Sequence, residues 1–395
     1  MNYILFDDHS WKSLLPLTST RPVANIRIGI LTIKEKWELF LNSTCSFLTR
    51  DYLSEKFRLS EGENNILINS SVLPDKDLVE EITTLKINEA LFQDKDIVAV
   101  FFPGEDVKEF DCRKTDSFIK KQYNSAILKI QNPWDIFEYN GEAIRNDFLE
   151  ITKNRSSEPF SQTVQVFNKK DVFIEEGARI ECAALNATKG PIYIGKNAEV
   201  MEGSTIYGPF SLGENAIVKI GTKIYGPTTV GPYSKVAGEI NNSVIFGYSN
   251  KAHDGYLGSS VIGEWCNIGA GTNISNLKNN YSEVRVWNYE KEEFVNTGLQ
   301  FCGLFMADHS KCGINSMFNT GTVVGVSANI FGAGFPRQFI PSFSWGGAHG
   351  YTTYKIQKAI EVAKTVKSRR DLELDSEEIK ILEHIYEITQ KFRKF

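Results

Sequence analysis

Residues 194–236 read IGKNAEVMEGSTIYGPFSLGENAIVKIGTKIYGPTTVGPYSKV. Every sixth position is aliphatic: Ile194, Val200, Ile206, Leu212, Val218, Ile224, Val230 and Val236. With about one residue in four aliphatic, such a run arises by chance on the order of once in 10⁵ trials. A period of six fits neither one face of a helix nor the two-residue alternation of a simple strand. It fits a coil of three short strands, in which each anchor points inward and stacks on its equivalent one coil away. Gly195, Gly213 and Gly231 each follow an anchor, as tight corners would favour. The spacing predicts a left-handed parallel β-helix.

The count resumes at Tyr256, Ile262, Ile268 and Ile274, and again at Met306, Cys312, Phe318, Val324 and Ile330, while Ile174 and Ile180 predict an earlier coil. The breaks at 237–255 and 275–305 read as surface loops, where solenoids often bind. Trp287, Tyr289 and Phe294 give the second break aromatic anchors suited to a subunit interface or to covering its own coil. After Trp345 the repeat stops. Asp375 or Ser376 followed by Glu378 reads as a helix cap, and Ile379, Leu382, Ile385 and Tyr386 as an apolar stripe. Upstream, the runs YILF, NNILIN, DIVAVFF and SAILKI alternate with helix-like stretches and predict an α/β domain. The expected organisation is an α/β domain over 1–155, a linker over 156–170, the β-helix over 171–345 and C-terminal helices over 346–395.

The chain has 395 residues, a formal net charge of −5 and no Lys/Arg-rich block. This argues against nucleic acid or an anionic membrane as partner and for a small molecule. The N-terminal MNYILFDD is too short for a signal-peptide core or a membrane span, so a cytoplasmic protein is expected. Six scattered cysteines without a C-x-x-C pair suggest neither a zinc site nor a disulfide framework.

Between the second and third runs of repeats lies KAHDGYLGSSVIGEWCNIGAGTNISNLKNNY, residues 251–281. It resembles the acetyltransferase domain of the bifunctional GlmU family, whose pattern is K-A-x-H-x-x-Y-L-G, a strand, N-x-G-A-G-T and a later Asn. The resemblance spans roughly 170–340 and implies transfer of an acetyl group from acetyl-CoA to an amino sugar phosphate. An amine attacking a thioester must lose a proton, and histidine is suited to take it near neutral pH. His253 is the candidate base, with His309 a weak competitor. By resemblance Tyr256, Asn267 and Asn276 would hold the sugar phosphate, while Lys235, Lys251 or Lys278 would supply positive charge. Packing at Tyr256 and turn roles for the asparagines stay open. Backbone N–H groups of the Gly-rich turn are candidates for an oxyanion site. The family has one more residue before its histidine, and a tyrosine where Leu277 stands.

PLTSTRPVANIRIG, residues 16–29, resembles the start of sugar-phosphate nucleotidyltransferases, where a Gly-rich loop brings backbone N–H groups to nucleotide phosphates. Here that loop is FDDHSWKS, without glycine, and Asn69, Ser70 and Ser71 stand where the family has a metal-binding aspartate. Arg21, Arg27 and Lys36 are candidates for gripping a nucleotide, and Asp7 or Asp8 for holding Mg²⁺. The leading reading is glucosamine-1-phosphate N-acetyltransferase, with a possible N-terminal nucleotidyltransferase using UTP or another nucleotide, and a homotrimer. The alternatives are an acetyltransferase on another amino or nucleotide sugar with a non-catalytic N-terminal domain, and a non-catalytic regulatory protein.

Overall fold

The computed structural model describes residues 1–104 and 106–395, and the chain divides into two compact units. The first comprises residues 1–14, 20–26 and 31–132. Its core is a six-stranded mixed sheet: β1 (Asn2–Phe6), β2 (Cys45–Leu48), β3 (Asn64–Asn69), β4 (Glu89–Gln93), β5 (Asp96–Pro103) and β6 (Ile119–Gln122), in the order β2-β1-β3-β5-β4-β6. β1 runs parallel to β2 and β3, and β5 antiparallel to β3 and β4. Three of the four expected strands are present. SAILKI is not one: Ile130 is buried, but this stretch only bridges Lys129 to Val72, and the strand beyond β5 is the polar edge IKKQ. An exposed edge carrying lysines has no hydrophobic alternation for a sequence reading to find.

The second unit comprises residues 15–19, 27–30 and 133–395. Helix Asn140–Thr152, counted above with the N-terminal domain, packs here: Asn140 accepts from Thr229 Oγ1 at 2.9 Å, and Arg145 donates to the Lys189 carbonyl at 2.9 Å. Part of the expected linker also joins the solenoid, since Gln165–Phe167 pairs with Ala184–Asn186.

The expected β-helix is there as a parallel solenoid of about ten turns. One face runs from Gln165–Phe167 to Tyr256–Gly258, a second from Val172–Ile174 to Phe339–Ile340, and a third from Arg179–Ile180 to Ser344–Gly347. Ile194 pairs with Leu212 and Leu212 with Val230, eighteen residues per coil. All three are fully buried, as the inward anchors must be.

The two breaks in the count have different causes. Between Val230 and Ile245 the coil takes fifteen residues, and Val236 pairs with Lys251, also fifteen on. Residues 237–255 are thus not an inserted loop but a shortened coil with strands Glu239–Asn241, Val244–Gly247 and Asn250–Lys251. The coil that follows takes seventeen residues, from Ile240 to Leu257 and from Ile245 to Ile262, so the inward residue is Leu257, fully buried, and Tyr256 pairs outward beside Glu239. The second break is a true insertion carrying the hairpin Arg285–Asn288/Glu293–Asn296. Its rings are used within the chain: Trp287 stacks on Phe339 at 4.3 Å, and Tyr289 meets Phe339 and Phe392 edge-on. Within the chain these rings thus pack against a later coil and the C-terminal segment.

At the corner between the second and third faces, Tyr233, Tyr248, Trp265 and His309 all take left-handed φ of 52° to 62°. Repeating this conformation coil after coil superposes the rings, with centroids 5.0 Å apart from Tyr233 to Tyr248 and 4.3 Å from Tyr248 to Trp265. Such contacts offset part of the strain that a Cβ feels there. The C-terminal helices lie over this ladder: Lys367 Nζ sits 5.6 Å from the Trp265 ring, and Arg370 donates to the Tyr233 carbonyl at 3.1 Å. Asp375 and Glu378 form the expected capping box; the fully buried residues of that helix include Ile381, whereas Ile379 is half-buried.

Candidate active site

The shortened coil ends in the corner 252–255, between the third and first faces, and His253 stands exposed on it. Its backbone is held from several sides. Lys251 Nζ donates to the His253 carbonyl at 2.5 Å, Gly271 N–H to the Asp254 carbonyl at 3.0 Å, and Glu239 N–H to the Gly255 carbonyl at 3.2 Å. Gly255 has φ +121°, and a Cβ there would lie 2.0 Å from the Thr272 carbonyl oxygen, so the corner closes against the NIGAGT turn only with glycine. The two halves of the motif are thus joined through their backbones. The imidazole of His253 has no hydrogen-bond partner among the described residues. His309, by contrast, is buried and stacks on Trp265 at 6.4 Å, a structural position.

On the first face, Tyr256 Oη accepts from Asn276 Nδ2 at 3.1 Å, and the Tyr256 N–H donates to Asn273 Oδ1 at 2.9 Å. Asn276 is buried and also donates to Ser259 Oγ at 3.4 Å. Gly258 lies beneath this pair, where a Cβ would sit 2.3 Å from Tyr256 Oη and 2.6 Å from Asn276 Nδ2. On the third face, Lys235, Asn250, Asn267 and Lys311 are neighbours in successive coils. Asn267 is exposed. The structure therefore brings Tyr256 together with Asn276 on one face and sets Lys235 and Asn267 in one column of the adjoining face, with His253 on the edge shared by both.

Burial lowers the Lys235 ammonium below its ordinary value, and the charges of Arg370 and Lys219 add to this. Lys219 N–H donates to the Val236 carbonyl at 2.8 Å, which fixes it beside Lys235. Among the described residues no carboxylate pairs with Lys219, Lys235 or Arg370. Sequence reading missed Lys219 and Arg370, since one is a corner lysine and the other comes from the turn after the helix Ile356–Ser368, about 130 residues away. Lys278 Nζ donates to the Glu283 carbonyl within the insertion at 2.5 Å.

Two expectations change. Lys251 is buried at an inward anchor position and faces a backbone carbonyl, so it does not present charge to an outside phosphate. The Gly-rich turn also offers less than expected as an oxyanion site, because the N–H groups of Gly269, Gly271 and Thr272 already donate to Cys312, Asp254 and Gly269 carbonyls.

In the first unit, β1 and β3 end side by side in a polar cluster. Asp8 accepts from Ser10 N–H at 2.8 Å and Asn69 Nδ2 at 2.9 Å and pairs with Lys129 at 3.2 Å; Lys129 also reaches Asp96 at 2.6 Å. Burial would raise the Asp8 carboxyl, but Lys129, Ser10 and Asn69 together hold it below its ordinary value. Asp7 accepts instead from Val23 N–H at 3.0 Å and Thr49 Oγ1 at 2.5 Å, and burial pushes it up to about 6. The two carboxylates serve separate partners, and among the described residues no group of three His, Cys, Asp or Glu is placed for a metal. The Mg²⁺ expectation at Asp7 or Asp8 does not fit this geometry. Arg21 and Lys36 are buried. Arg27 belongs to the second unit, where it donates to the carbonyls of Phe246 at 3.0 Å and Ile30 at 2.5 Å, so it is a structural residue of the solenoid rather than a nucleotide ligand.

Residues 3–156 match the family model described as sugar nucleotidyl transferase. A "Bifunctional sugar-1-phosphate nucleotidylyltransferase/acetyltransferase" of Sulfurisphaera tokodaii is 28% identical over 278 residues, covering 69% of this chain and 62% of that protein. The chain resembles the bifunctional GlmU family. A "Bifunctional protein GlmU" of Methanococcus aeolicus is 37% identical over 87 residues, 22% of this chain and 20% of that one. The match thus spans about three-fifths of the first relative's length and a fifth of the second's. Among solved structures, an Arabidopsis UDP-N-acetylglucosamine acyltransferase is 14% identical, covering 55% of this chain and 85% of that one, with a TM-score of 0.26. A hexapeptide transferase family protein from Anaplasma phagocytophilum is 13% identical, covering 58% and 92%, with a TM-score of 0.20. No helix among the described residues is long and apolar enough to cross a membrane.

Proposed function

We propose that the chain is an acetyl-CoA-dependent acetyltransferase acting on the amino group of a sugar phosphate, with glucosamine-1-phosphate as the acceptor. The observation that carries this reading is His253, exposed on a corner whose backbone is held by Lys251, Gly271 and Glu239. In this reading the imidazole takes the proton from the attacking amine, and the thiolate of CoA leaves as the amide forms. The Tyr256–Asn276 pair offers hydroxyl and amide groups to a sugar, Asn267 a second amide, and Lys235 with Lys219 and Arg370 a seat for a phosphate. Lys278 completes the positive side from the insertion. The expected setting is a cytoplasmic homotrimer.

Thiol release from acetyl-CoA in the presence of glucosamine-1-phosphate tests the reading directly. Turnover with another amino sugar phosphate, but not this one, would move the acceptor and leave the chemistry. No release with any amino sugar would end the proposal. A second activity, uridylyl transfer from UTP, is weak or absent in this reading. The loop 6–13 has no glycine to let backbone reach a phosphate, and Lys129 is already engaged by Asp8 and Asp96. Robust Mg²⁺-dependent pyrophosphate release by the full chain would overturn that part.

A further inference from the structure

Along the third face the inward column runs Val200, Val218, Val236, Lys251, with Ile268 and Cys312 in the later coils. An ammonium thus stands where every preceding coil has an aliphatic side chain. Lys251 is only 3% exposed and is paired with no carboxylate among the described residues. Burying an unpaired charge is costly, and the solenoid's packing does not require it, since methionine, one atom shorter, would fill nearly the same space without a charge. Among the described residues the one polar contact that Lys251 Nζ makes is to the carbonyl oxygen of His253.

Other polar side chains near the solenoid's corners serve the fold in a different way. Ser249 and Ser260 accept the N–H groups of Cys266 and Leu304 while donating to the carbonyls of Gly263 and Gly258, bridging coil to coil. The side chain of Lys251 bridges no coils among the described residues. It reaches two residues along its own chain to the corner that carries the exposed imidazole. The inward residue of the third face ends its strand directly before this corner in the preceding coils too, at Val200, Val218 and Val236, and at residue 251 that place is held by an ammonium.

We propose that Lys251 is a positioning residue, a buried ammonium whose function is to fix the backbone at His253 and thereby the direction of its imidazole. The inference rests on the acetyltransferase reading for its kinetic consequence, but not for its structural one. Burial pushes the Lys251 ammonium down to about 8, with Asp254 opposing the shift, in line with the absence of a paired carboxylate.

Lys251→Met separates the two roles. The chain has five histidines, so full-length protein labelled at histidine Cε1 gives five signals, and His253→Ala identifies the one that matters. In Lys251→Met the His253 signal should shift or broaden while the other four stay. The melting temperature should hold or rise, and kcat for acetyl transfer should fall roughly ten-fold with KM little changed. If wild-type protein transfers no acetyl group, the proposed function fails but the selective response of the His253 signal still supports the positioning role. An unmoved His253 signal, or kcat unchanged in an active enzyme, overturns it. A methionine variant that unfolds, or that disturbs all five signals alike, also overturns it, because Lys251 would then be a structural member of the core.

Discussion

His253 and Asp7 are both side chains whose surroundings prescribe an outcome. His253 has an unencumbered ring on a fixed backbone, so His253→Ala should leave the melting temperature intact and cut acetyl transfer about 10²-fold, the contribution of a positioned base. His309→Ala should do the reverse: it removes a ring stacked on Trp265 in a buried corner, lowering stability with little direct effect on the chemical step. A kinetic defect in the second variant equal to that in the first would exchange their roles. For Asp7, burial holds the folded carboxyl at about 6 against an ordinary 3.8. Below the ordinary value both states are protonated. As pH rises towards 6 the unfolded chain ionises first and the folded unit loses stability. Asp7→Asn removes that titration, so between pH 4 and 6 its melting temperature should decline less than that of the parent; parallel profiles would show that Asp7 is ionised in the fold.

Coils and hairpins impose constraints that single residues do not. Where the solenoid shortens after Val230, the backbones of adjacent coils come closest at Gly231, and a Cβ there would lie 1.8 Å from the Phe246 carbonyl oxygen. Gly231→Ala should therefore cost roughly 2 kcal/mol or more, as overpacking against backbone does. At Gly313 the nearest atom to a Cβ is 3.4 Å away, so Gly313→Ala should be nearly silent in the same thermal melt. Equal effects would show that the shortened coil can relax. The insertion hairpin is held by the stack of Trp287 on Phe339 and by edge contacts to Phe392. Trp287→Ala should loosen residues 278–300 to proteolytic nicking without changing the oligomeric state; dissociation of the oligomer on this change would return those rings to a subunit interface.

The solenoid carries the exposed corner of His253 and, on the same edge in other coils, the exposed apolar residues Ile220 and Ile314. In the homotrimer proposed above, like edges of three chains would cover these residues. Light scattering should find a mass near three times the 44.6 kDa chain. A particle of one chain at micromolar concentration would exclude the trimer.

Periodicity alone determined the β-helix, because a six-residue anchor spacing follows from the geometry of three short strands and survives any change of exposed side chains. The motif alone marked His253, since an imidazole between K-A and the Y-L-G strand needs no tertiary contact to be seen. Tertiary structure decided the rest. The shortened coil looked like a loop because losing three residues destroys the count while keeping every strand, and only the register reveals it. The same irregular coils turned Tyr256, counted as an anchor, outward, and set Lys251, expected in a surface loop, inward. Lys219 and Arg370 join Lys235 through space and leave no local pattern. In the first unit, Asp7 and Asp8 are neighbours in sequence whose side chains point to opposite sides of a strand end, so their adjacency said nothing of the partners that occupy them.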